Sequence, residues 1–78
     1  MRYEHEDGAI ELQFSGCCCP PGERREGQHT NATTDWWRIH WKDGTTTDWE
    51  RYHWGTRTRL FAQAANNCQD FVEAMKQE

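Results

Sequence analysis

The stretch that decides the fold, residues 36–49, reads Trp-Trp-Arg-Ile-His-Trp-Lys-Asp-Gly-Thr-Thr-Thr-Asp-Trp. Its residues alternate as in a strand, and Asp43-Gly44 is a strong hairpin signal. One face of the strand would carry Trp37, Ile39 and Trp41, and the other Trp36, Arg38, His40 and Lys42. The first face is wholly apolar, so it must pack against a hydrophobic core. The second, one tryptophan among three basic or titratable groups, indicates a binding surface.

The register of this hairpin follows from the charges that each alternative would bury. A two-residue loop would place Glu50 opposite Trp37, and so put a carboxylate on the apolar face. A three-residue loop over residues 42–44, with Gly44 in the left-handed conformation, places Trp49 there instead. We therefore expect the three-residue loop, because an aromatic cross-strand pair is favourable.

The first 15 residues predict another hairpin, which turns at Asp7-Gly8. In that register Tyr3 lies opposite Leu12 on an apolar face. Glu4 then lies opposite Glu11 on an acidic outer face. This face is either a solubilising surface or a site for a basic partner.

The rest of the chain predicts a connection and a helix. Residues 16–35 lack periodicity and form a long Cys-, Pro- and Gly-containing loop, and the Trp-rich hairpin covers 36–54. Apolar residues then recur at helical spacing from Leu60 to Met75, so one helix over 57–77 is expected. The predicted fold is α+β: one domain, 1–78, with a four-stranded antiparallel sheet of two β-hairpins packed against one C-terminal helix.

Composition limits the function classes. The net charge of −4 argues against general binding to nucleic acids or anionic membranes, although residues 36–59 carry five Lys/Arg against three Asp/Glu. No apolar run reaches the roughly 20 residues of a membrane-spanning helix, and no signal-peptide pattern is present. The expected location is the cytoplasm, which for a phage-encoded protein means the host cytoplasm, with no membrane contact.

The cysteines are the candidate metal ligands. Cys17 and Cys19 would share one face of a strand, and His29 could approach them from the loop, which gives the right atoms for zinc. The spacing does not match known zinc knuckles, and small hydrophobic packing is the alternative. A zinc-stabilised structural module therefore stays an alternative, while the expectation is a protein without cofactors. Because phosphate loops, nucleophile elbows and paired carboxylates are missing from the sequence, no enzyme is expected.

A second alternative is DNA binding. Trp-Arg-Ile-His-Trp-Lys-Asp-Gly at 37–44 leads into Thr-Arg-Thr-Arg-Leu-Phe-Ala-Gln-Ala-Ala at 56–65. This order resembles the small arm-binding domains of phage integrases, which place a sheet in a DNA groove. The resemblance covers residues 36–65. In this reading bases would stack on Trp36 or Trp54, beside Arg38, Arg57 and Arg59.

Protein binding suits the sequence best. Five tryptophans exceed what one small core encloses, and an exposed Trp36 beside Arg38 matches the composition of interface hot spots. Packing of the rings on each other, or in a homodimer, is the alternative. The candidate partner-binding residues are Trp36, Arg38, His40, Tyr52, Trp54, Glu4 and Glu11.

A small acidic protein with Asp-Gly hairpins and a terminal helix is similar in build to small phage-encoded inhibitors, of which the anti-CRISPR proteins are the best-known group. The resemblance implies steric inhibition of a host nucleic-acid-handling complex. The acidic face would imitate phosphates toward a basic channel, with Trp36 and Arg38 as anchors. The expected partner is thus a protein complex of the host.

Overall fold

The computed structural model describes residues 1–15, 19–23, 34–52 and 55–77 and has an α+β fold. Its elements are strands β1 (Arg2–His5), β2 (Gly8–Ser15), β3 (Thr34–Trp41) and β4 (Glu50–Tyr52), and helices α1 (Gly55–Ala64) and α2 (Cys68–Lys76). The strands form one antiparallel sheet in the order β1-β2-β3-β4. The α+β class and the four-stranded antiparallel sheet are therefore confirmed. Most of the predicted 16–35 loop lies outside the described residues.

The two helices pack on one face of the sheet, called here the covered face. Its core joins Ile10, Leu12, Trp37 and Ile39 of the central strands to apolar residues of both helices. The rings of Trp37 and Phe71 meet edge to face, with centroids 5.3 Å apart. The alternate residues of the strands form the other side, called the open face: Arg2, Glu4, Ala9, Glu11, Gln13, Trp36, Arg38 and His40.

The single helix predicted over 57–77 is only approximately matched, because the structure has two helices there: α1 ends at Ala64, and α2 begins after Asn67. That residue is extended (φ −161°, ψ 176°), and its side-chain oxygen accepts a hydrogen bond from the Asp70 amide at 2.8 Å. Asparagine is a poor residue inside a helix but among the best at an N-cap. The sequence Asn67-x-x-Asp70 thus starts a second helix.

The break also changes which residues face the sheet. Helix α2 buries the four apolar residues that the helical spacing predicted: Cys68, Phe71, Val72 and Met75. Helix α1 instead buries Thr58 and Ala62, four residues apart, whereas Leu60 is 58% exposed. The predicted apolar stripe is thus correct for α2 and only partly correct for α1, where Phe61 packs against the core but Leu60 and Ala64 are exposed.

The turn of the first hairpin is tied to the start of α2. The two carboxylate oxygens of Asp7 accept hydrogen bonds from the amides of Cys68, at 2.8 Å, and Gln69, at 3.1 Å. These amides lack partners within the helix, and the helix dipole favours a negative charge there. Burial raises the pKa of Asp7, but the bonds from these amides outweigh burial and leave the pKa below its ordinary value.

The first hairpin turns one residue earlier than predicted. Tyr3 pairs with Ile10 and Arg2 with Glu11, so the loop is Glu6-Asp7 rather than Asp7-Gly8. The pairing shifts by two positions, which keeps every side chain on its predicted face but removes the expected Glu4–Glu11 opposition. Gly8 is therefore the first residue of β2, and this position requires glycine because a Cβ there would collide with the His40 carbonyl oxygen.

The second hairpin has two registers, one near its loop and the other further along the strands. The three-residue loop is confirmed: the Trp41 amide donates to the Thr45 oxygen at 2.7 Å, and Gly44 has φ +97°. Further along, however, Trp37 pairs with Glu50, the pairing that the burial argument rejected. The chain between these points carries one extra residue. Glu50 stays exposed at the sheet edge, so the expected cost of burying it does not arise.

Candidate partner-binding surface

Adjacent central strands bring opposite charges together on the open face. Glu11 of β2 lies directly opposite Arg38 of β3. The Arg38 Nε donates to Glu11 Oε1 at 2.7 Å, and the two side chains are 32% and 21% exposed. A charge-assisted hydrogen bond this short and this sheltered holds both side chains in place better than a surface ion pair does.

His40 shares the same carboxylate. Its Nε2 lies 2.7 Å from Glu11 Oε1, and its Nδ1 lies 3.3 Å from the Thr46 hydroxyl. Since an ionised carboxylate only accepts, Nε2 carries the hydrogen, and in the neutral ring Nδ1 accepts from the threonine. The imidazole is thereby fixed at both nitrogens.

The ionised form of Glu11 is favoured at this position. Burial raises the pKa of the carboxyl, but the hydrogen bonds from His40 and Arg38, together with the arginine charge, lower it further than burial raises it. The pKa of Glu11 therefore lies below its ordinary value. At neutral pH this part of the open face presents a carboxylate between two nitrogen donors, with the charges largely balanced.

Trp49 completes this group of side chains, called here the Arg38 cluster: Glu11, Arg38, His40 and Trp49. The guanidinium carbon of Arg38 lies 4.3 Å from the centroid of the Trp49 ring. At this distance the cation is attracted by the face of the ring. The arginine is thus held from two sides, by a carboxylate and by an indole.

A depression of about 310 Å³ lies beside the cluster. Gly8 and Ala9, which have little or no side chain, lie between the charged residues of β1 and the end of β3. Arg2 and Glu4 pair at 2.8 Å on the β1 side. Both side chains are more than half exposed, so this ion pair contributes little to stability and mainly places two opposite charges on the surface.

Five of the seven predicted partner-binding residues lie on the open face: Glu4, Glu11, Trp36, Arg38 and His40. Trp36 does not fit the prediction, because only 6% of it is exposed. Burial of a large ring is a strong driving force in a chain with few aliphatic residues. Tyr52 is also misplaced, since it packs against the core on the covered face. Trp54 lies outside the described residues.

Sequence reasoning missed Trp49, which it placed opposite Trp37 in the core. The extra residue between Thr47 and Glu50 reverses the alternation, so that Trp49 stacks on Arg38 instead. The sequence carried no local signal for this bulge, because the register with Glu50 opposite Trp37 offered no gain that alternation could detect.

The metal prediction concerns residues mostly outside the described part of the chain, since Cys17 and His29 both lie there. Cys19 is half-buried. Across the described residues, no three His, Cys, Asp or Glu side chains are grouped to hold a metal ion. Cys68 is a core residue, and burial, with the Asp7 carboxylate beside it, raises the pKa of its thiol to about 12.

Comparison of the chain with protein-family models, with curated proteins and with solved structures found no match. Within the described residues, neither helix has the length and apolar character needed to cross a membrane.

Proposed function

We propose that this chain is a non-enzymatic protein-binding protein whose contact surface is the open face of the sheet. One observation carries the proposal: the Arg38 cluster is ordered and sheltered, yet it lies on the face that the helices leave uncovered. An arginine held between a carboxylate and an indole has lost its freedom before any partner arrives. Binding then costs less side-chain entropy than it would for a mobile arginine.

The chemistry of the cluster suits a protein partner. Arg38 donates to Glu11 through Nε, so this bond does not use the terminal Nη groups of the guanidinium. Those groups can donate to carboxylates or backbone carbonyls of another chain. The ring of Trp49, half-buried beside them, supplies apolar area. Arginine and tryptophan are the residue types most enriched at interface hot spots.

The proposed mode of action is steric inhibition. In this proposal the chain is encoded by a phage or mobile element and occupies a surface of a host nucleic-acid-handling complex. The net charge of −4 and the small size support a role that competes with nucleic acid for a basic surface. Glu11 balances Arg38 directly, which favours a protein partner over DNA for this face.

Site-specific photo-crosslinking in nuclease-treated bacterial lysate tests the proposal. A photoreactive residue replaces Gln13, which is exposed next to the cluster, or, as the control, Glu73, which is exposed on α2. We expect a defined adduct from position 13, strongly reduced from position 73, and lost when Arg38→Ala and Trp49→Ala are added.

The same adduct from both positions, or an adduct that survives both substitutions, would refute the open face as the contact surface. Salt-dependent binding of the purified protein to duplex DNA that disappears in Arg38→Ala would support the integrase-like alternative instead.

A further inference from the structure

Strand β1 forms one edge of the sheet. It pairs with β2 on one side, and no strand among the described residues pairs with its other side. The Leu12 amide donates to the Met1 carbonyl at 2.8 Å, so Met1 directs its backbone groups toward β2. Because these directions alternate along an antiparallel strand, Tyr3 also faces β2, whereas Arg2 and Glu4 direct their amides and carbonyls outward.

We propose that this edge pairs with the β1 strand of a second copy of the chain, antiparallel and with the two-fold axis at Tyr3. In this register Arg2 lies opposite the partner's Glu4, and Glu4 lies opposite the partner's Arg2. Both are residues with outward backbone groups, so each pair exchanges two hydrogen bonds. The pairing uses the backbone edge of β1 and not the Arg38 cluster, so it does not depend on that cluster.

The charges of β1 select this register. Opposite charges directly across a strand pair are favourable and like charges are unfavourable. Shifting the register by two positions would place Arg2 against Arg2 in one direction or Glu4 against Glu4 in the other. Arg2 and Glu4 already pair within the strand at 2.8 Å and are exposed, so they can extend that pairing to a second copy without moving far.

The residue on the axis also suits self-pairing. Tyr3 from each copy would meet in a pair without backbone hydrogen bonds, where side chains approach most closely. Tyr3 is half-buried and packs against the core, so the two rings would extend the covered face from one copy to the next. Aromatic cross-strand pairs are among the favourable ones.

The other edge lacks this complementarity. Strand β4 has three described residues, Glu50–Tyr52, and an antiparallel copy centred on them would set Arg51 against Arg51. A like-charge pair on the axis is the kind of feature that keeps sheet edges apart. Pairing through β1 alone closes a two-fold dimer with one continuous sheet, whereas pairing of β1 with β4 would propagate into a fibre.

Sedimentation analysis tests the proposal directly. The chain carries no N-terminal tag, and a reductant prevents cysteine-linked dimers. Because a short edge gives a weak interface, the protein concentration is varied from about 10 µM to about 1 mM. We expect a monomer–dimer equilibrium. A monomer at all concentrations, or a mass that keeps growing beyond the dimer, would overturn the proposal.

Charge reversal identifies the edge. Arg2→Glu sets like charges against each other in both pairs, and we expect the dissociation constant to rise at least about tenfold. The double variant Arg2→Glu/Glu4→Arg restores opposite charges and should restore dimerisation. Lys76→Glu, an equal change of charge at the exposed end of α2, is the matched control and should leave the equilibrium unchanged. A dimer insensitive to Arg2→Glu contradicts the edge assignment.

Amide hydrogen exchange gives an independent readout of the strand pairing. The outward amide of Glu4 should exchange rapidly in dilute solution and become protected as the dimer forms. The Tyr3 amide, which faces β2, should change little. Equal exchange of the Glu4 amide at both concentrations would show that any dimer forms elsewhere. None of these outcomes alters the expected crosslink from Gln13, so the two proposals fail separately.

Discussion

On strand β3, Trp37 and Ile39 point toward the helices, whereas Arg38 and His40, the residues that alternate with them, lie on the open face. The covered face is held by contact between rings and aliphatic chains. The open face is held by Glu11, which hydrogen bonds both basic residues. Since the two sets alternate along one strand, a substitution of one residue can change folding or binding separately.

The largest effect is expected on the covered face. Phe71 is 1% exposed and meets Trp37 edge to face, so Phe71→Ala should lower the free energy of unfolding by about 3–5 kcal/mol. Denaturant unfolding measures this. Phe14→Ala is the matched control, because Phe14 is 58% exposed, and its effect should be within about 0.5 kcal/mol. Equal losses in the two variants would contradict the assignment of the core.

Trp36 is an exception to this division of β3 into a buried side and an accessible side. It alternates onto the same side as Arg38, yet it is as buried as Trp37. Trp36→Ala should therefore destabilise the protein rather than act on binding alone. The open face is accessible at the Arg38 end of β3 and not at the Trp36 end.

Some of this architecture follows from sequence alone. Period-two alternation sorted Trp37 and Ile39 from Arg38 and His40 correctly, because one face of a half-buried strand must be apolar. Helical spacing found the buried residues of α2 for the same reason. Gly44 identified the loop, since the left-handed conformation there favours glycine.

The features that the sequence did not predict depend on contacts between residues that are distant in the chain. Asn67 begins a new helix, and the Asp7 carboxylate, sixty residues earlier in the chain, binds the first amides of that helix. No local pattern reports such a contact. The position of Trp49 required knowing that β4 changes register, which depends on how a whole strand fits the sheet edge. Burial of Trp36 likewise depends on tertiary contacts rather than on alternation.

The link between the first turn and α2 should have the next largest effect. Asp7→Ala removes acceptors from two amides at the helix start and should cost about 1–2 kcal/mol, as loss of a helix cap does. Glu6→Ala, the exposed neighbouring residue, is the control. The folded pKa of Asp7 is lowered, so this stabilisation is present above the ordinary carboxyl pKa and is lost as pH falls through the folded value. If the loss of stability at low pH were the same in Asp7→Ala as in the unmodified chain, the contact would be refuted.

Asp35 should make stability depend on pH in the opposite direction from Asp7. It is fully buried on the covered face, and burial raises its pKa although Arg59, 3.5 Å away, opposes the rise. The folded state thus binds the proton more tightly, and its stability falls as pH rises from the ordinary carboxyl pKa through the raised one.

Asp35→Asn removes this loss while keeping the shape of the side chain. Asp35 Oδ2 is buried without a hydrogen-bond partner among the described residues, so at pH 7 we expect a gain of about 1 kcal/mol, the lower end of what such an atom costs. The gain should vanish in acid. Thermal unfolding at both pH values measures it, and a variant that is less stable at pH 7 would show that the Arg59 pair outweighs burial.

The smallest effect on folding is expected on the open face. Arg38→Ala and Trp49→Ala should each change stability by less than about 1 kcal/mol, because a cation–π contact or an ion pair that is only partly buried contributes no more than this. A double-mutant cycle should give a coupling of about 0.5–1 kcal/mol. Both variants should nevertheless lose the partner crosslinked from Gln13. If either variant unfolded like Phe71→Ala, the cluster would be part of the core, and the separation of folding from binding along β3 would be wrong.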